Sequence, residues 1–378
     1  MDISVVSDNI VSPLGFTTEE NFENLTKSIS GIKLHENKQL SASSFFAAYI
    51  DEKKLAERFV GESEKYSKLE IMFIISISEA LEKSNVDIQN KETLLIFSST
   101  KGNIDLLESN PFGDSSRIHL WRMAEVVADF FGCGNVPLIV SNACISGSMA
   151  IITANRLLKA GRYKNIVIAG GDIISKFTIA GFQAFKAMSA SPCKPFDEKR
   201  DGITLGEGCG TIILTSDSLE SKSIKVLGGA ITNDANHISG PSRTGEGLFL
   251  AINNSLRDAK VSASDIDYIS AHGTGTLFND EMESQAIERS NLNHAFVNGL
   301  KGFYGHTLGA AGVIESIISI QSLKQNHVIA THGYKNLGVS GNLKIVEKST
   351  SQSINYCLKT SSGFGGCNAS IIFTNNQN

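Results

Sequence analysis

One cysteine lies where an apolar run gives way to a helix-forming segment. Cys144 follows the run 138–140 and precedes the stretch 148–158, whose apolar residues recur at helical spacing. A thiol at such a junction faces the unpaired N–H groups of the helix and the positive end of its dipole. We therefore expect Cys144 to have a lowered pKa and to act as a nucleophile. The alternative is a buried structural cysteine.

Two histidines lie in segments that favour chemistry. His272 follows a strand predicted at 266–271 and opens the sequence His-Gly-Thr-Gly-Thr, and its alternative is an ordinary solvated loop histidine. His306 precedes a predicted helix rich in small residues, whose N-terminus disfavours imidazolium, so we expect a neutral hydrogen-bond donor. Lys301, five residues earlier, supplies a local positive charge.

Carboxylates and a glycine-rich turn accompany these histidines. Asp280 and Glu283 lie at a predicted helix start, where they would cap the helix or orient the preceding loop. Gly363, Phe364 and Gly365 belong to a turn ahead of the last predicted strand. Backbone N–H groups of such a turn can bind a developing oxyanion. The alternative is a turn that only requires positive φ.

Composition indicates a globular protein with a large core. The chain has 378 residues, 41% of them hydrophobic, and a net charge of -5 without a long basic run, which argues against nucleic-acid binding. We find no signal-peptide pattern, and the apolar run 71–75 is too short to span a bilayer. Six scattered cysteines suit free thiols in a reducing cytoplasm, and no metal-ligand spacing is present.

The two halves of the chain contain similar segments in the same order. The run 210–217 resembles 369–376, the helix–strand segment 79–99 resembles 254–272, and the helix after Cys144 resembles the one after His306. Alternating helices and apolar strands predict an α/β fold with mainly parallel, buried sheets and ligands at the strand ends. We predict two pseudo-duplicated halves, 1–220 and 221–378, joined near 218–225.

Together these motifs resemble those of the β-ketoacyl synthases (ketosynthases) of the thiolase superfamily, specifically the elongating branch with two histidines. The resemblance covers nearly the whole chain. It rests on five motifs in family order: Cys144 before its helix, the Pro195-Phe196-Asp197, Arg200-Asp201-Gly202 and Gly206-Glu207-Gly208 series, His272-Gly273-Thr274-Gly275-Thr276, His306 with Lys301 ahead of it, and Gly363-Phe364-Gly365-Gly366.

The resemblance implies a five-layer αβαβα fold, a dimer and a decarboxylative Claisen condensation. Cys144 would accept an acyl group from an acyl carrier protein, and His272 and His306 would stabilise the enolate formed from malonyl carrier protein. Phe364 would contribute an oxyanion N–H and gate the acyl channel opposite a loop near 234–238. Thr274 and Thr276 would bind the 4'-phosphopantetheine arm, which the carrier protein supplies; no cofactor or metal would be bound by the enzyme itself.

The carrier protein implied by the resemblance is acidic, so this acidic chain must present a local basic patch to it. The candidates are Lys53, Lys54, Arg58, Lys65, Lys68 and Lys186, and the alternative is that each is an ordinary solvated charge. Departures at Ser362, at Ile203-Thr204 and in a short segment 102–131 leave acyl length and pathway open, between fatty-acid elongation and polyene or polyketide-type synthesis.

Four other classes share parts of this pattern. A thiolase would need a second catalytic cysteine, for which Cys367 is the candidate, but the two histidine motifs argue against it. An initiating synthase would carry asparagine in place of the second histidine, and a chain-length factor would lack Cys144. A cysteine hydrolase would need a carboxylate or amide placed to orient its base. Whether the dimer partner is a second copy or a related synthase-like chain stays open.

Overall fold

The computed structural model describes residues 2–217 and 223–375, in which helices alternate with strands along both halves. The first half contains β1 (Ser4–Val11), α1 (Thr18–Thr26), β2 (Lys33–His35), β3 (Phe45–Ala48), α2 (Glu52–Arg58), α3 (Lys68–Glu82), β4 (Thr93–Ser98), α4 (Leu120–Phe131), β5 (Leu138–Val140), α5 (Ser146–Lys159), β6 (Asn165–Asp172), α6 (Lys176–Ala184), β7 (Leu205–Gly206) and β8 (Gly208–Thr215). The second half contains β9 (Lys225–Asn233), α7 (Glu246–Ala259), β10 (Tyr268–Ala271), α8 (Leu277–Arg289), β11 (Phe296–Gly299), α9 (Lys301–Tyr304), α10 (Ala311–Gln325), β12 (His327–Val328), β13 (Lys344–Ile345), β14 (Thr350–Ser351), β15 (Tyr356–Gly363) and β16 (Cys367–Thr374).

The two halves build the same sheet twice. The first half has the strand order β5-β4-β6-β8-β1, and the second has β11-β10-β15-β16-β9 with β13 added at its edge. In both, the first two neighbouring pairs are parallel and the next two are antiparallel. The predicted pseudo-duplicated fold is confirmed. Four of these five strands in each half run in the same direction, as expected for mainly parallel sheets, and the fourth strand in the order, β8 or β16, runs against both of its neighbours.

The two sheets meet at one narrow junction and enclose a pair of central helices. Backbone hydrogen bonds from Val5 to Ile224 and from Val226 to Ile3 join β1 to β9. Helix α3 covers the outer face of the first sheet, α7 and α8 cover the second, and α5 and α10 pack between them. This gives the predicted αβαβα layers. The predicted boundary at 220/221 lies outside the described residues and stays a prediction.

The central helices approach so closely that they require glycine. A Cβ on Gly147 of α5 would lie 2.7 Å from the backbone nitrogen of Val313, and one on Gly312 of α10 would overlap the backbone nitrogen of Ser148. Most residues of α10 are buried around its whole circumference, as expected for a core helix. This contact sets the N-terminal ends of both helices side by side, with Cys144 and His306 just ahead of them.

We expect Gly312→Ala to lower the free energy of unfolding by about 1–3 kcal/mol, because the added methyl group meets backbone that cannot rotate away. Thermal and chemical unfolding would measure this change. Gly181→Ala is the matched control: it lies within α6 with open space around it, so helix propensity should make it neutral or slightly stabilising. Equal effects of the two substitutions would contradict the argument.

Candidate active site

Cys144 lies at a sharp turn between β5 and α5. Ala143 just before it has a φ of +45°, a left-handed conformation that is strained for a residue with a side chain. The turn is held by Ser146, whose Oγ donates to the carbonyl of Ala143 at 2.6 Å and accepts from the N–H of Asn142 at 2.8 Å. The thiol is 8% exposed and lines a cavity of about 430 Å³.

The acidity of this thiol differs from the expectation. Burial raises the pKa of Cys144, while the positive charges of Lys101 and Lys301 and the backbone N–H of Phe364 oppose that rise. The expected lowering of the pKa by the helix is therefore wrong in direction, because desolvation outweighs the favourable charges. The resting enzyme holds a thiol that lies beside groups able to stabilise its anion.

His272 is buried after β10, with the ring orientation set by Lys301. The Nζ atom of Lys301 lies 3.2 Å from Nδ1 of His272 and also donates to the carbonyl of His272. Because the lysine donates to Nδ1, the proton of the neutral ring lies on Nε2. Burial, followed by the charge of Lys301, lowers the pKa of His272 well below its usual value.

His306 has the same tautomer as His272, but a backbone N–H fixes it instead of a lysine. The N–H of Leu308 donates to Nδ1 of His306 at 3.3 Å, which again assigns the ring proton to Nε2. That Nε2 is buried without a hydrogen-bond partner among the described residues. Burial, followed by the charges of Lys301, Lys101 and Lys359, lowers the pKa of His306 well below its usual value. The expected neutral donor therefore agrees with the structure.

The two imidazoles and the thiol border one cavity. The ring centroids of His272 and His306 are 5.2 Å apart and the rings are nearly perpendicular. Both line the same cavity as Cys144. Among the described residues, no carboxylate is hydrogen-bonded to either ring, so the arrangement lacks the orienting acid of a hydrolase triad. The site offers a nucleophile beside two neutral N–H donors.

Asp280 and Glu283 hold the loop that carries His272. Glu283 accepts the backbone N–H groups of His272 and Gly273, both at 2.8 Å. Asp280 accepts the N–H of Thr274 at 2.9 Å, and its burial raises its pKa to about 6. Of the two expected roles, orienting the loop is the one these contacts support, because Thr276 caps α8 instead.

The remaining predicted lining residues also lie at this cavity. Thr274 and Thr276 line it, with their hydroxyl oxygens 2.9 Å apart. The ring of Phe364 packs 5.8 Å from that of Phe182 and 5.4 Å from that of Phe185. The described lining is therefore polar at the threonines and aromatic at the turn.

Gly363 and Gly365, on either side of Phe364, are glycine for different structural reasons. A Cβ on Gly363 would lie 3.1 Å from the backbone nitrogen of Cys144 and 2.9 Å from Sγ of Cys367, so only glycine allows this approach. Gly365 has a φ of +85°, and its N–H donates to the carbonyl of Ile238 at 2.7 Å. The turn thus touches both the nucleophile and the loop predicted to oppose it.

The six predicted docking residues do not form one patch at the cavity. Lys186 lines the cavity, and the other five do not. Arg58 pairs with Glu79, Lys65 with Glu62, and Lys68 with Glu52 and Glu207. Lys53 and Lys54 lie in the first turn of α2, whose N-cap is Asp51. Lys186 is therefore the member of the set that lies at the cavity, and the docking role of all six residues stays a prediction.

Four buried or half-buried charges at the site are absent from the predicted set. Glu315 and Lys359 extend the contacts of Lys301, as described below. Asp172 accepts from the N–H of Gly309 at 2.7 Å and from the hydroxyl of Thr100 at 2.9 Å, which ties the His306 segment to the loop carrying Lys101. The sequence signal is a charge inside an apolar strand or helix, which a search for loop motifs passes over.

Within residues 2–217 and 223–375, no group of three or more histidine, cysteine or acidic side chains could hold a metal ion. In the same ranges, no helix has the length and apolar character that a bilayer crossing requires. All six cysteines carry free thiols.

Comparisons with known proteins agree on one family. Residues 1–219 match the N-terminal domain of the β-ketoacyl synthases, and residues 224–335 match their C-terminal domain. The chain is 36% identical to 3-oxoacyl-[acyl-carrier-protein] synthase 2 of Rhizobium meliloti over 251 residues, which cover 62% of this chain and 59% of that relative. It is 29% identical to the enzyme of the same name from Vibrio cholerae, with 98% of both chains covered.

Solved structures show the same fold. The ketosynthase ApeO from Xenorhabdus doucetiae, determined in complex with its chain length factor ApeC, superposes with a TM-score of 0.88 at 24% identity, covering 99% of this chain and 98% of that chain. A β-ketoacyl synthase from Burkholderia phymatum gives the same TM-score and identity, with 99% of both chains covered.

The matched domains cover most of the chain, so the protein belongs to the β-ketoacyl synthase family. It is an acyl-transferring synthase with the thiolase-like fold, which confirms the predicted family and class of enzyme.

We expect alkylation of Cys144 by iodoacetamide to become faster with pH up to and beyond pH 9, because the raised pKa keeps the thiolate fraction small near neutrality. Lys101→Met should slow the reaction at pH 8 by about three- to tenfold, since a charge that favours the thiolate is lost. Mass spectrometry of the Cys144 peptide measures both. The matched control Lys164→Met removes a surface lysine and should have no effect; a rate that levels off by pH 7 would contradict the prediction.

Proposed function

We propose that this synthase extends acyl chains by a two-step reaction at Cys144, using acyl and malonyl groups delivered on a carrier protein. The observation that carries the proposal is the convergence of Cys144, His272 and His306 on one cavity, with both rings neutral and protonated at Nε2. A nucleophile beside two neutral donors fits a reaction that passes through a thioester and then through an enolate.

In the first step, the thiolate of Cys144 attacks the carbonyl carbon of the acyl carrier thioester. A C–S bond forms, and the negative charge moves to the carbonyl oxygen. The backbone N–H groups of Cys144 and Phe364 are the proposed donors to this oxyanion, supported by the close approach of the Gly363 turn to Cys144. The tetrahedral intermediate then collapses: the C–S bond to the carrier breaks, the carrier sulfur leaves and takes up the proton that the Cys144 thiol lost on attack, and the acyl group remains on the cysteine.

In the second step, the malonyl group loses CO₂, and the electron pair of the broken C–C bond moves into the thioester as an enolate. The Nε2–H groups of His272 and His306 are the proposed donors to the enolate oxygen. The carbanion carbon then attacks the acyl group on Cys144. A new C–C bond forms, and the cysteine leaves as thiolate when the tetrahedral intermediate collapses.

The carrier arm would enter past the two threonines. Thr274 and Thr276 are the proposed hydrogen-bond partners of the 4'-phosphopantetheine chain, and their paired hydroxyls in the cavity lining support this. Phe364 is the proposed gate of the acyl channel. Its aromatic contacts to Phe182 and Phe185 can exchange as the ring turns, and the neighbouring Gly365 has no atom within 4 Å of where its Cβ would be.

We place the enzyme in a dimer and in the cytoplasm. Within residues 2–217 and 223–375, β5 is the last strand of the sheet and no strand pairs with its outer edge. Val136 and Leu138 are exposed there, as is Trp121 of the adjacent helix α4. A partner strand would cover this edge, either from a second copy or from a related synthase-like chain of the kind that ApeO has in its chain length factor. The six free thiols support a reducing compartment.

Substitutions should distinguish the acylation step from the decarboxylation step. We expect wild-type enzyme incubated with acyl and malonyl carrier proteins to form an acyl adduct on Cys144 and a product longer by one malonyl-derived unit. Cys144→Ala should form no adduct. His306→Ala should still be acylated but should release CO₂ about 10²- to 10⁴-fold more slowly, because one enolate donor is lost. Intact-protein mass spectrometry and a CO₂ assay measure the two steps, and unchanged condensation in His306→Ala would remove this residue from the mechanism.

Carrier docking should depend on Lys186 more than on the distant lysines. We expect Lys186→Glu to raise the KM for the carrier protein about tenfold at low salt, with a smaller effect at high salt, because the lost attraction is screened. The matched control Lys65→Glu, which removes a lysine that does not line the cavity, should change KM less. Steady-state kinetics at two salt concentrations measure both, and equal effects would contradict a docking role for Lys186.

A further inference from the structure

Lys359 is a charged residue in the interior of a strand. It lies on β15 and is 0% exposed. Its Nζ donates to the carbonyl of Ser270 at 3.3 Å and to the carbonyl of Thr360, and it forms an ion pair with Oε2 of Glu315 at 2.7 Å. A buried lysine costs considerable free energy of desolvation, so its retention calls for a physical reason.

These contacts continue to the imidazole at the active site. Glu315 uses its two oxygens for two lysines: Oε2 faces Lys359, and Oε1 lies 2.6 Å from Nζ of Lys301. Lys301 in turn donates to Nδ1 of His272. A connected row of four side chains therefore runs from β15 through α10 and α9 to the loop after β10.

We infer that Lys359 is a positioning residue that holds Glu315 by one oxygen, so that Glu315 holds Lys301 with its ammonium directed at Nδ1 of His272. Without Lys359, the whole charge of the Glu315 carboxylate would act on Lys301 and would draw the ammonium away from the ring. This inference rests on the proposed role of His272 as an enolate donor. Lys359 itself lines no part of the cavity.

The charges in this row also favour neutral rings. Lys359 is one of the positive charges that lower the pKa of His272 and of His306. The ionisable groups that face Lys359 are Glu315, Lys301 and Glu283, of which the two carboxylates act in the opposite direction. Removing the Lys359 charge leaves the carboxylates in excess, so imidazolium becomes more favourable. Protonation at Nδ1 would then break the contact of His272 with Lys301.

The test separates the two half-reactions as a function of pH. Lys359→Gln keeps donors for the carbonyls of Ser270 and Thr360 but removes the charge. We expect it to acylate Cys144 at the wild-type rate but to release CO₂ more slowly than wild type, by a few-fold at pH 8, where the lost positioning of Lys301 acts alone, and by about tenfold at pH 6, where imidazolium also forms. Lys324→Met, which removes a half-exposed lysine from the same helix as Glu315, is the matched control and should keep the wild-type profile.

The outcomes are distinct. A wild-type enzyme that neither acylates Cys144 nor releases CO₂ would overturn the proposed function. An active wild type with an unchanged pH profile in Lys359→Gln would overturn only the role of Lys359. If Lys359→Gln does not fold, Lys359→Met, which keeps the apolar stem and removes the charge, takes its place: a loss of CO₂ release that deepens towards pH 6 supports the inference, and a wild-type pH profile overturns it.

Discussion

The contact between α5 and α10 is the constraint on which the site depends. Gly147 and Gly312 let the two backbones touch, and each helix belongs to a different half of the chain. Cys144 precedes one helix and His306 precedes the other, so the approach of the backbones fixes the distance between nucleophile and donor. Any side chain at the contact would separate the halves and open the site. The chemistry is therefore positioned by the main chain, which deforms far less than side chains do.

Burial acts on every ionisable group in this site, and it acts in a consistent direction. It disfavours charge on the cysteine and on both imidazoles, so the resting site is neutral at the three reacting side chains. The positive charges lie one layer behind, at Lys101, Lys301 and the residues that hold them. This separation leaves the reacting side chains neutral at rest, with cations near enough to stabilise the anions that form transiently.

Much of the site could be predicted from the sequence because its residues lie in loops with distinctive composition. Cys144 and His272 follow strands, His306 follows the short helix after β11, and the Gly363 turn ends β15, as the order of elements indicates. The acidity of Cys144 was predicted with the wrong sign, because a sequence shows the helix that follows the thiol but not how much water reaches it. The reversed direction of β8 and β16 was not predicted, because parallel and antiparallel buried strands have the same apolar composition.

Charged residues inside apolar helices and strands were harder to predict from the sequence than the loop motifs. Glu315 and Asp172 each interrupt a run of apolar residues, and Lys359 directly follows the apolar pair Cys357-Leu358. Such a charge indicates a buried partner without saying which one. Their partners are 44 to 137 residues away in the pairs Lys359–Glu315 and Asp172–Gly309. Only the fold brings such residues together. The docking role of the six basic residues stays a prediction, and of these six Lys186 is the one that lines the cavity.

Each central helix packs on the sheets of both halves, and this sharing has a consequence for how the molecule folds. Helix α5 of the first half packs on β9 and β16 of the second, and α10 of the second packs on β6 and β8 of the first. Neither half can bury its apolar surface by itself, so the duplicated architecture should gain and lose its structure in a single cooperative transition. A fragment that ends near the junction of the sheets would leave one face of its sheet bare and would be prone to aggregation.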